Sequence, residues 1–192
     1  MTNDPTTALD FLLTRRSHPA KTLGLPVPGA AELRTILLAA ARSPDHGKLE
    51  PWRFIVLERA ALVRLADAVP ERGADLGIED EKIAKMQAQF SQAHLAVTVV
   101  AAPKPSDKIP EIEQVLSAGA VCTALLNAAL ASGWGANWLT GWAAHDREFG
   151  KRHFDLAAGE FIAGLIHIGT RTSEPPERPR PDLDTIVTWV DT

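Results

Sequence analysis

The sequence predicts an α+β fold: a central mixed or antiparallel sheet of about four or five strands, surrounded by helices, with one long helix through the core. Three observations carry this. The runs "LAVTVVAA" (95–102) and "FIAGLIHIG" (161–169) contain no Asp, Glu, Lys or Arg and are rich in β-branched residues, as buried strands are. The segment from Glu111 to Ser132 is apolar almost all round, the pattern of an enclosed helix. The elements read helix, helix, strand, helix, helix, strand, long helix, strand, short helix, strand and arm, which is an α+β order.

Each element has a local reason. Thr6 or Thr7 can cap a first helix running to about Arg15, with Leu9, Leu12 and Leu13 on one face. "GLPVPG" is an extended linker. A helix from about Ala30 to Arg42 turns Leu33, Ile36, Leu37 and Ala40 inward. A strand at Arg53–Leu57 leads into a helix at Arg59–Val69. "IEDEKIAKMQAQF" is an amphipathic helix whose Ile83, Met86 and Phe90 line one side, so it covers something. The long helix gives way to the strand "GANWLTGW" (135–142), then to a short helix and the strand 161–169. The tail, 173–192, is proline-rich and then apolar in "TIVTWV". Such an arm is stiff and extended and needs a surface to bury its end, which a second copy of the chain would supply.

With 192 residues, 45% apolar and 23% charged, the chain reads as a single globular domain over 1–192 that includes the arm. A net charge of −4 gives no global field for nucleic acid or an anionic membrane. The single cysteine, Cys122, excludes an internal disulfide and a CxxC metal knuckle, and its apolar surroundings make it a buried inert thiol suited to a reducing cytoplasm. The N-terminus puts an acidic residue ahead of a short apolar stretch, the wrong order for a secretion signal. The apolar run around 115–131 is broken by Ser117, Thr123 and Asn127, so a core helix is expected there rather than a membrane span.

No GxGxxG follows a strand and no GxxxxGK[ST] or GxSxG occurs. His18, His46, His94, His145, His153 and His167 form no HExxH and no i,i+4 pair, so no metal site is expected, and His167 reads as a satisfied core histidine. "RRS", Arg15 to Ser17, closes the first helix. Its arginines either bond free helix carbonyls or, with the hydroxyl, suit a phosphate dianion. Arg178 and Arg180 in "PERPR" are either solvated or join them. The loop "SPDHGKLEPW" (43–52) is rigid, polar and aromatic-ended, with Pro44 and Pro51 fixing φ and Gly47 allowing close approach. Trp134, Trp138 and Trp142 are either one packed strand face or the floor for a flat aromatic ligand.

Together, "TRRSHPAKTL", "AARSPDHGKLEPWRFIVLE", the long helix, "GWGANWLTG" and "GLIHIGTRT…ERPRPDLDTIVTWV" resemble the nitroreductase family of FMN-dependent flavoproteins over nearly the whole chain, nearest its compact, minimal NAD(P)H branch. The resemblance implies that Arg15, Arg16 and Ser17 hold the FMN phosphate and ribityl end. It implies that His46 sits beside the cofactor, that Arg42 reaches the cofactor bound mainly by a partner subunit, and that Trp138, Leu139 and Thr140 lie along the isoalloxazine ring. Ala128, Ala129, Leu130, Ala131, Ser132 and Gly133 correspond to a nicotinamide-nucleotide contact. Whether Arg171, Arg178 or Arg180 contacts the phosphate stays open at this point. The loop departs from the family pattern at Lys48 and Glu50, where relatives often carry Asn and Gln. A lysine donates but cannot accept as an amide does, and its charge favours a reduced, anionic flavin.

The resemblance implies a homodimer, with the arm exchanged, that passes hydride from NAD(P)H through FMN to a nitroaromatic, quinone or similar acceptor by a ping-pong mechanism. The flavin carries the chemistry, and so no catalytic acid/base pair or nucleophile is demanded of the protein. Tyrosine is absent, so no phenol donates a proton. The competing readings are an FMN carrier or sensor without turnover, and a plain dimerisation module that would purify colourless.

Overall fold

Strand β5 (Phe161–Arg171) organises the molecule, because it pairs with three others. The structure is a computed structural model that describes residues 5–191, with side chains from residue 8. β5 runs antiparallel to β3 (Leu95–Ala101), to β4 (Gly135–Leu139) and to the two-residue β1 (Leu23–Gly24). β3 in turn pairs antiparallel with β2 (Trp52–Glu58). The sheet therefore has five strands and, of the two arrangements expected, every pairing is antiparallel. β3 is buried along its whole length, as its run of β-branched residues requires.

The helices cover both faces. On one lie α2 (Ala30–Ala40) and α5 (Glu111–Ala131), packed with Val97, Val99, Ile166 and Ile168. On the other lie α3 (Arg59–Asp75), α4 (Asp80–Ser91), α6 (Trp142–His145) and α7 (Arg147–Phe154), packed with Ala96, Ile162 and Leu165. A bulge between Val99↔Gly164 and Val100↔Ile162 leaves Ala163 unpaired, which lets Ile162 and Leu165 share a cluster. α4 covers α3, as its apolar side anticipates: Met86 and Phe90 are buried, and Ile83 lies where a Cβ on Gly73 would be.

Several expectations are corrected. The first helix, α1 (Pro5–Thr14), ends at about Arg15 as expected, but Thr6 and Thr7 lie inside it rather than capping it. α3 continues through Pro70 to Asp75, because the later turns are held by packing on α4 and by Arg72, which makes a bidentate pair with Asp146 at 2.8 Å. β4 ends at Leu139. Trp134 packs with the α2/α5 cluster, while Trp142 opens α6 and meets Phe149 edge-on at 6.1 Å, so the three tryptophans share no strand face. α5 does not run through the middle. One face, with Val121, Cys122, Leu125 and Ala129, is fully buried, while Ile112 and Leu116 on another are more than 60% exposed. His167 is in the core as expected, but neither ring nitrogen has a hydrogen-bond partner. Burial pushes its pKa down to about 4, so it is neutral. Cys122 is buried and its thiol is pushed up to about 12, as an inert thiol should be.

Candidate functional site

Two clusters of the expected site residues form. The first gathers on β4. There the segment after α1 is tied to β4: the His18 amide donates to the Ala136 carbonyl (3.0 Å) and the Asn137 side chain donates to the His18 carbonyl (2.7 Å). This places Arg15, Arg16 and Ser17 beside Asn137 and Trp138, around a cavity of about 440 Å³. Arg178 and Arg180 line it from the arm, while Arg171 does not and faces Glu174 at 3.7 Å. Thus the arginines left open in the sequence divide two to one.

The electrostatics of this cavity ask for an anion. Arg15 donates to Ser17 Oγ at 2.9 Å, but its buried Nε has no partner. Burial, and then the charges of Arg180 and Arg16, hold its pKa below the usual arginine value. Glu177 reaches Arg16 Nη1 at 3.0 Å and Arg180 at 3.4 Å, yet the Arg16 contact is misaligned for a hydrogen bond and leaves that nitrogen unpartnered. Glu177 thus reaches only two of the four guanidiniums around the cavity, where a phosphate with three acceptor oxygens could bridge them. The Trp138 indole forms the adjoining wall. It packs on β5 at Gly164, where an added Cβ would collide with its ring nitrogen, and it stays 37% exposed. Arginines for a phosphate beside an open aromatic surface fit a flavin mononucleotide. Leu139 is half-buried and Thr140 exposed at the same strand end. His18 is buried with its pKa lowered, by desolvation first, despite Glu174 at 3.7 Å.

The second cluster is the loop after α2, clamped on the first half of α5. Ser117 Oγ donates to the Pro44 carbonyl (2.9 Å) and accepts from the Trp52 indole (3.2 Å). One helical turn earlier, Glu113 Oε2 lies 2.7 Å from His46 Nδ1. Asp45 accepts from the amides of Leu49 (2.8 Å) and Glu50 (3.2 Å). These bonds hold a left-handed backbone at Gly47 (φ 73°), and also at Lys48 (φ 56°) and Glu50 (φ 47°), where side chains make it costly. Lys48 and Glu50 are exposed, as are Arg42 and His46. Arg42 lines a shallow cleft of about 520 Å³ against the exposed face of α5, beside Thr123 and Asn127.

The two clusters share no lining residue among the described residues. The segment Ala128–Gly133 ends α5 in a Schellman turn. The Trp134 amide bonds the Ala129 carbonyl, the Gly133 amide bonds that of Leu130, and Gly133 takes φ 89°. Ala129 is buried and the Ser132 hydroxyl bonds the Ala128 carbonyl, so only Ala131, Ser132 and Gly133 face outward. Glu113 and Ser117 had no signal in the sequence, since they lie 67 and 73 positions from their loop partners. No group of acidic, histidine and cysteine residues able to hold a metal occurs among the described residues.

Residues 13–170 match the family described as "Nitroreductase family". The Escherichia coli (strain K12) protein named "Putative NAD(P)H nitroreductase YdjA" is 37% identical over 164 residues, covering 85% of this chain and 87% of that one. A nitroreductase-like family protein from Bacillus cereus superposes with TM-score 0.81 at 21% identity, over the whole of both chains. A Desulfovibrio desulfuricans protein, described as a "putative nitroreductase in complex with fmn", superposes with TM-score 0.74 at 20% identity, over 100% of this chain and 99% of that one.

Proposed function

The chain belongs to the nitroreductase family, and from that premise we propose that it is an FMN-dependent oxidoreductase passing electrons from NAD(P)H to a nitroaromatic, quinone or similar acceptor. The observation that carries this reading is the arginine cavity walled by an open indole. Arg15, Arg16 and Ser17, joined by Arg178 and Arg180, hold the phosphate. Trp138, Leu139 and Thr140 lie along the ring, and the outward backbone of Ala131–Gly133 is what remains for a nicotinamide nucleotide. When bound, FMN supplies the two-electron transfer. The protein binds, orients and excludes water, and donor and acceptor use one place in turn, which is a ping-pong scheme.

A homodimer is part of the proposal. Arg42 and His46 do not line the arginine cavity, and we assign them, as the resemblance implies, to the site of a second copy. Two further features support it. Leu9, Leu12 and Leu13 on α1, Ile112 and Leu116 on α5, and Leu183, Ile186, Trp189 and Val190 on the arm are all exposed in the single chain. An apolar groove of about 860 Å³ between α2 and β2, lined by Leu37, Leu38, Phe54 and Val56, is open to receive an arm of the partner.

The experiment is to extract and identify the cofactor, then add NADH or NADPH without oxygen. FMN that bleaches and is reoxidised by a quinone, with parallel double-reciprocal plots, supports the reading. FMN that stays oxidised points to the carrier, and colourless protein that FMN does not reconstitute refutes a flavin function altogether.

A further inference from the structure

Resting on that reading, we propose that Glu113 is a positioning residue for His46, and that the pair delivers the proton which the acceptor needs besides its hydride. Two residues on one face of α5, Glu113 and Ser117, hold the loop at its side chain and its backbone respectively. Glu113 lies in the first turn of α5, and its Oε2 stands 2.7 Å from His46 Nδ1. A carboxylate only accepts, so Nδ1 carries a hydrogen and the ring is turned with Nε2 outward. The His46 side chain is 61% exposed, so Nε2 exchanges protons with water and is free to face a second copy's site. With no tyrosine in the chain, an imidazole is the side chain here best suited to act as a general acid.

The step balances. A quinone takes a hydride, two electrons and one proton, from the reduced cofactor at one end. The oxygen that becomes the second hydroxyl takes a proton from His46 Nε2. That N–H bond breaks, an O–H bond forms, and the imidazolium becomes a neutral imidazole. Glu113 keeps the Nδ1 hydrogen in place throughout, and water returns the proton to Nε2.

Ferricyanide separates electron transfer from proton transfer, because it takes one electron and no proton. The test measures reoxidation of FMN-loaded, pre-reduced enzyme by benzoquinone and by ferricyanide, in wild type and in Glu113→Gln. The ratio of the quinone rate to the ferricyanide rate should fall about tenfold or more, since a positioned general acid contributes roughly a hundredfold upward. Should Glu113→Gln fail to fold, His46→Gln should lower the same ratio. Histidine ¹⁵N–¹H spectra of cofactor-free protein give a readout independent of activity: His46 should carry its hydrogen on Nδ1 in wild type and lose that preference in Glu113→Gln. An unchanged ratio in FMN-loaded enzyme, or a neutral His46 protonated on Nε2 in wild type, overturns the proposal. A chain that takes up no FMN overturns the proposed function first, before any rate is read, and this inference with it.

Discussion

Replacing Gly164 by alanine should cost about 1–2 kcal/mol, and nearly all of that cost should run through Trp138. A Cβ at 164 would meet the indole nitrogen and lie 2.7 Å and 2.9 Å from its Cδ1 and Cε2, so something must move. If the ring leaves β5, it re-exposes on the order of 100 Å² of apolar surface, worth about 2.5 kcal/mol. If the backbone yields at the neighbouring bulge instead, overpacking costs about 1–3 kcal/mol. The cheaper route is taken, and the lost chain entropy of a glycine offsets about 0.5 kcal/mol. In a Trp138→Ala background the obstacle is gone, so Gly164→Ala should be neutral or stabilising by about 0.5 kcal/mol. A urea-denaturation double-mutant cycle should therefore give a coupling of about 2 kcal/mol. Equal costs in both backgrounds would refute the view that Gly164 exists to seat the indole.

In the first site, neither Arg15→Ala nor Arg42→Ala homodimers should bind FMN tightly, each losing about ten- to a hundredfold from one charge-assisted contact of ~1.5–3 kcal/mol. Heterodimers of the two should regain one tight site, measurable by flavin fluorescence quenching; verified heterodimers without it would place both arginines in one subunit. Glu177→Gln, which removes the carboxylate bridging Arg16 and Arg180, should tighten binding of FMN and of inorganic phosphate in titration calorimetry. Removing residues 185–192 should shift sedimentation toward monomer and weaken FMN binding together. Asp146 bonds Arg72 twice and caps α7 at the Phe149 amide, and its pKa lies below the ordinary 3.8, chiefly through Arg72. A depressed carboxylate stabilises the fold above its unfolded pKa. The stability gap between wild type and Asp146→Asn should thus be constant near neutral pH and close as pH falls below about 4 in acid-titrated melts.

The parts of this fold legible in the sequence are those whose cause is local. β3 follows from its β-branched run, α4 from its apolar stripe, and α2 from Leu33, Ile36 and Ala40 at helical spacing. What misled is what tertiary contacts decide. Pro70 read as an end because the packing of Gly73 on Ile83 cannot be seen from α3 alone. α5 read as central because an all-apolar helix looks the same whether its second face meets its own chain or another. Arg15, Arg16, Ser17 and Trp138 were legible through the resemblance, and their convergence on one cavity agrees with it. Glu113 was not, since only folding brings it to His46.

His167 has a use outside any site. Its imidazole is sealed in β5 between Ala96 of β3 and Asn137 of β4, dry and without a partner. The carbon-bound hydrogen between its ring nitrogens exchanges with heavy water only while the ring is wetted. Mass-spectrometric deuteration at that one position would therefore report the fraction of time the ring stands open to water. The other five histidines, read from the same digest, would serve as internal references, so that the molecule carries its own gauge of how far its interior opens over days.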